Sequence, residues 1–138
     1  MAFLKHVFFW VLSLLTFSFA ETPEQELIVK VFKLFSIKDI PIVVYEHNPI
    51  ISLKGSSFTN IVAECAQADV VYGSHFETLP KECILLPRFS TEYEIFHNDE
   101  RVIGAFYWRK GRPQLRFSKE RCERFNIFLP PELVRYVQ

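Results

Sequence analysis

A chain of 138 residues with 16 basic and 16 acidic side chains has no net charge and room for one domain. That balance argues against nucleic acid as a partner. Three cysteines with no CxxC spacing do not make a zinc-ligand set. GxSxG, HExxH, Walker and GxGxxG patterns are also absent, so the sequence points to no enzyme and no cofactor.

Residues 1–20 read as a secretory signal. Lys5 and His6 give a basic start, and 7–19 is an almost wholly apolar run. Ser18 and Ala20 are small residues placed for cleavage before Glu21. The run is shorter than the ~18–20 residues that span a bilayer, so cleavage and a periplasmic location are expected. An uncleaved anchor in the inner membrane is the alternative. Cleavage leaves 21–138 as a single domain whose charge is unevenly spread. Residues 21–100 carry 6 basic and 13 acidic side chains, whereas 101–125 carry 8 basic and 2 acidic. Either the two regions neutralise each other within the fold, or the second forms a basic surface for an acidic partner.

In chain order, Thr22-Pro23-Glu24-Gln25 is a helix start with a cap, a proline at the first helical position and a capping-box glutamine. Leu27, Ile28, Val31, Phe32 and Phe35 follow at helical spacing, so a helix is predicted over 23–36. Residues 42–45 form a short apolar strand of the kind buried in parallel sheets. The 50–67 segment is ambiguous: 58–62 reads either as a strand or as part of a helix. Residues 69–72 give a second core strand and 84–86 a third. Ser90 or Thr91 can cap a short helix at 92–96. Ser118 caps another from 119 to about 125, and Pro130-Pro131 opens a last helical piece at 132–137.

Residues 101–117 read as a β-hairpin. The run from Val102 to Trp108 is rich in β-branched and aromatic residues. Strict alternation puts Val102, Phe106 and Trp108 on one face and Ile103, Ala105 and Tyr107 on the other. Both faces are then apolar, and Trp108 is expected to be mostly buried. Lys110-Gly111 is a two-residue turn. The return strand, 114–117, alternates, and Pro113 marks it as an outer strand. Arg109, Lys110, Arg112 and Arg116 lie along its wet rim. Arg88, Arg109, Arg112 and Arg116 form a set able to clamp a phosphate or carboxylate, or simply to protect a sheet edge.

Elements of this size in this order predict a three-layer α/β domain, its sheet mainly parallel with an antiparallel C-terminal hairpin edge. Cys65 and Cys83 each precede a core strand. If those strands are parallel neighbours, their starts lie at one end of the sheet. Of the three pairings possible, Cys65–Cys83 is therefore favoured, with Cys122 a buried apolar residue. His47 and His75 each follow a core strand, where ligand sites collect in open α/β sheets. With Glu46 or Glu77 they are candidates for a metal or a base. With Gly73 they are candidates for a small-molecule site.

The stretch VIGAFYWRKGRPQLRFSKERCERFNIFLPPELVRYV resembles the end of YfiR-like periplasmic proteins. A Gly-containing apolar strand turns there into an R-F strand, followed by a helix and a short closing helix. Here these parts are Gly104, Arg116-Phe117, 119–125 and 131–137. The run from Cys65 to Val71 is similar to that family's cysteine-then-strand segment. The resemblance implies a Rossmann-like α/β fold and a non-enzymatic regulatory role. The implied partner is the periplasmic domain of an inner-membrane diguanylate cyclase.

Overall fold

The computed structural model describes residues 21–37 and 40–137; the expected signal at 1–20 lies outside them. Among the described residues no helix is long and apolar enough to cross a membrane.

Helix α1 spans Pro23–Leu34 and starts as its sequence dictates, with Thr22 Oγ1 accepting the Gln25 N–H at 3.1 Å. The capping box is one-sided. The Gln25 side chain donates instead to the Ser52 carbonyl at 2.8 Å, tying the helix to a distant loop. The helix ends two residues before its expected end. Ser36–Ile37 (β1) then pairs with Ile40–Pro41 (β2) in a small antiparallel ribbon.

The main sheet has six strands: Val44–His47 (β3), Ile61–Val62 (β4), Val70–Gly73 (β5), Arg88–Ser90 (β6), Val102–Arg109 (β7) and Arg112–Phe117 (β8). Their spatial order is β4-β3-β5-β6-β7-β8. The first five are parallel to their neighbours and β8 is antiparallel to β7, which is the mainly parallel sheet with a hairpin edge that the sequence predicts. Between β3 and β5 the order of winding reverses.

One face of the sheet is covered by α1 together with Lys119–Arg124 (α3) and Pro131–Val134 (α4). Ile28, Phe32, Phe35, Val44, Tyr72, Phe89, Phe117, Cys122 and Leu133 pack there in one core. The other face carries Tyr93–Asn98 (α2) and two 3₁₀ turns, Cys65–Gln67 and Lys81–Cys83, over Val71, Phe76, Phe96 and Tyr107. Cys65 and Cys83 form the expected disulfide, with Cα atoms 5.3 Å apart, while Cys122 is free and buried.

Several expectations are corrected. The apolar run at 84–86 is not a strand. It continues the turn of Lys81–Cys83, with the Leu86 N–H bonded to the Cys83 carbonyl, and Leu85 is 74% exposed. The strand is the next segment, β6, because Pro87 supplies its carbonyl to Val71 and Phe89 enters the core. A short apolar run cannot by itself distinguish strand from turn. The strand expected at 42–45 begins at Val44. The Val43 N–H is held by the Asp69 carboxylate at 2.9 Å, so the ladder starts one residue later. The ambiguous 58–62 segment contributes only the edge strand β4.

Strand β7 does not alternate strictly. Arg88 is opposite Val102 and Phe89 opposite Gly104, so Ile103 is an extra residue in a bulge. The bulge puts Val102 with Ala105 and Tyr107 on the disulfide face, and Ile103 with Phe106 on the α1 face. Trp108, expected buried, is 52% exposed because β7 outruns the layers that cover its earlier residues. The turn forms as expected: Lys110 and Gly111 have φ of 51° and 73°, the double positive φ of the hairpin-favoured type I′ turn. Gly104 faces Phe117, whose ring would lie 2.5 Å from an added Cβ, so the close approach of β8 requires glycine.

Candidate functional site

The basic segment divides into two sets. Arg101 and Arg121 donate to backbone carbonyls: Arg101 to Ile84 at 2.6 Å, and Arg121 to Phe96 and, at 2.9 Å, to Val102. Arg124 lies 3.0 Å from Glu120 and 3.8 Å from Glu100, and Lys119 is 4.0 Å from Glu123. Arg101 and Arg121 are thus tied to the backbone, whereas the ion pairs of Lys119 and Arg124 lie exposed at the surface. Arg88 is also internal. It bonds Asp99 at 2.7 Å and the Ile84 carbonyl at 3.0 Å, and stacks over Phe76, so it does not join the predicted clamp.

Arg109, Lys110, Arg112 and Arg116 make no ion pair among the described residues. The first three are exposed at the hairpin tip and Arg116 is half-buried on β8. Arg109 and Arg112 are direct cross-strand partners. Like charges placed opposite one another cost stability, and no internal carboxylate offsets this pair. The half-exposed Trp108 stands next to Arg109 and across from Pro113, so the tip combines cations with a large aromatic surface. That combination was not legible in the sequence, where Trp108 reads as core.

At the carboxyl ends of the parallel strands the histidines take separate roles. His47 is buried, its Nε2 lying 3.0 Å from Thr78 Oγ1, and burial lowers its pKa, which favours the neutral ring. His75 is exposed. Glu46, a candidate companion, is occupied: it accepts from Ser52 Oγ at 2.7 Å and from the Leu53 N–H, and so shapes the loop after β3. Among the described residues no three His, Cys, Asp or Glu side chains come together as a metal site. Gly73 lies opposite His47, and a Cβ there would collide with the His47 carbonyl, so glycine allows the two backbones to approach.

The cysteines offer no nucleophile. Two are oxidised to the disulfide, and burial pushes the Cys122 thiol up to about 12, which keeps it protonated. A cleft of about 600 Å³ runs between α1, β8 and α4. Its floor includes Val31, Phe106, Leu115 and Leu133, with Lys30 and Arg135 at its edges. A second cleft, of about 380 Å³, opens at the carboxyl end of the sheet beside Trp108. Neither His47 nor His75 lines either cleft.

No protein-family model matches the chain, and no curated protein matches it.

Proposed function

We propose that this protein is an exported, non-enzymatic regulator or sensor that acts by contact with an acidic protein surface. The observation that carries this reading is the hairpin tip, where the unpaired Arg109, Lys110 and Arg112 are exposed next to the half-exposed Trp108. Of the other cations of the same segment, Arg101 and Arg121 are tied to backbone carbonyls and Lys119 and Arg124 sit beside carboxylates at the surface, which leaves the tip cations as the unmatched charge. Aromatic residues and arginine are also the types enriched at protein interfaces. Export is supported by the apolar start of the sequence and by a disulfide, which persists in oxidising compartments. The resemblance of 102–137 to YfiR-like proteins names the partner to try first, the periplasmic domain of a membrane-bound diguanylate cyclase.

The test uses Arg112→Glu, which turns a like-charge pair with Arg109 into an opposite one. Thermal melting should stay level or rise slightly, because surface substitutions usually change stability by less than about 0.5 kcal/mol. Association with the cyclase domain should slow, and the wild-type rate should fall with added salt, because exposed charges are screened within about 10 Å at 0.1 M. An association rate unchanged by both the substitution and salt would remove the tip from the interface.

A further inference from the structure

Strand β8 is the outer strand of the six-stranded sheet. It pairs with β7 on one side, and on the other only Phe117 is bridged, to Val137. Hydrogen bonding fixes which backbone groups face outward. The Ser118 N–H donates to the Ile103 carbonyl across the ladder, whereas the Phe117 N–H turns away from β7 and donates to the Tyr136 carbonyl, both at 2.9 Å. Alternation along β8 then turns the Leu115 N–H, the Leu115 carbonyl and the Pro113 carbonyl outward as well. Among the described residues none of these three has a backbone hydrogen-bond partner. An open edge of this kind is a template for another strand. The two faces beside it differ. Leu115 and Phe117 point to the α1 face, where the edge borders the larger cleft with Val31, Phe106 and Leu133 in its floor. Arg112 and Arg116 alternate to the opposite face, and neither makes an ion pair among the described residues. Lys30 and Arg135 line the cleft, against a single carboxylate, Glu132.

We propose that the β8 edge takes up an extended acidic segment of a partner protein as an added strand, its apolar residues alternating with glutamate or aspartate. The apolar side chains enter the cleft, the carboxylates meet Arg112 and Arg116 on the other face, and the backbone bonds the free groups of Pro113 and Leu115. The arginines then act in two ways: they repel strands of like charge and admit an acidic one. A second copy of this chain fits less well, because pairing two β8 edges brings the Arg112 and Arg116 of both copies together on one face. A neutral apolar strand leaves both arginines unmatched. The inference goes beyond the tip contact and does not rest on it, since it uses neither Trp108 nor Lys110.

Calorimetry on the purified protein tests it with a capped peptide of alternating valine and glutamate, about six residues long as ordinary strands are. The peptide should bind saturably, and its valine–lysine counterpart about tenfold or more weakly. Arg116→Gln should weaken the glutamate peptide about threefold, the scale of one partly exposed charge pair, and Lys110→Gln at the tip should leave it unchanged. Matched melting curves confirm folding. Two N-methylated peptides read the strand pairing itself. Methylating the valines removes the N–H groups of one peptide edge, and methylating the glutamates removes those of the other. The valines share the α1 face with Leu115, so an antiparallel peptide presents its valine amides to β8 and a parallel one its glutamate amides. One methylated peptide should therefore bind about tenfold or more weakly while the other binds as before. An equal response to the two methylations, no saturable binding of the glutamate peptide, equal binding of the lysine peptide, or Arg116→Gln weakening binding no more than Lys110→Gln would each overturn the proposal. A dimer in sedimentation that the peptide displaces would assign the edge to a second copy instead.

Discussion

The two faces of the sheet are held by different means. On the α1 face, a 12-residue helix lays Ile28, Val29, Val31 and Phe32 onto the strands. The Phe32 ring lies within 5.2–5.9 Å of Phe89, Tyr72, Phe35 and Phe58. On the opposite face the only α-helix among the described residues has 6 residues, and the rest is 3₁₀ turns and loop. Such short pieces bury little apolar surface. There the disulfide joins the two 3₁₀ turns across a separation of 18 residues. Where an amphipathic helix is long enough, burial alone secures the layer. Where it is not, a covalent link restricts the unfolded chain instead.

The largest expected effect is on the aromatic face. Phe32→Ala should cost roughly 3–5 kcal/mol, because the ring is central to the cluster and its neighbours cannot all close the gap. Denaturant unfolding measures this. A loss below about 1 kcal/mol would mean that this face is not the centre of stability.

Next in size is the disulfide. Replacing Cys65 and Cys83 with serine should cost about 3 kcal/mol, the loop-entropy value for a closure of this length. The loss should be local as well as global. Amide exchange at 74–87 should rise more than in α1. Uniform exchange, or melting insensitive to reductant, would erase the contrast between the faces.

The smallest expected effect concerns His47, which packs against Thr78 of the disulfide-face loop. Burial puts its folded-state pKa below the ordinary value of 6.5. The unfolded chain therefore takes up the proton first, and stability falls as pH drops below about 6.5. His47→Gln should flatten the melting temperature between pH 7 and pH 5 relative to wild type. Parallel curves for the two proteins would show that the ring does not report on this face.

Features set by neighbours in the chain were legible from the residues. The cap at Thr22 and the Lys110-Gly111 turn depend on a few adjacent side chains and on backbone sterics, and both formed as read. So did the cap at Ser118, which accepts the Arg121 N–H at 3.3 Å. The Cys65–Cys83 pairing was also read correctly, although the strand parallel to β5 is Arg88–Ser90 and not the apolar run that directly follows Cys83. Features decided by distant partners were not legible. Residues 84–86 have the composition of a strand, but they lie in a turn because the disulfide holds Cys83 and Phe89 fills the core one segment later. One extra residue at Ile103 changes which side chains of β7 share a face, and only the pairing with β6 reveals it. Trp108 looks like core by composition and is half exposed because the covering layers stop before it. The charges divide in the same way. Arg121 and Arg109 are equivalent as residues, yet one meets two carbonyls and the other meets solvent, because only the packed fold determines which unmatched polar groups each side chain can reach.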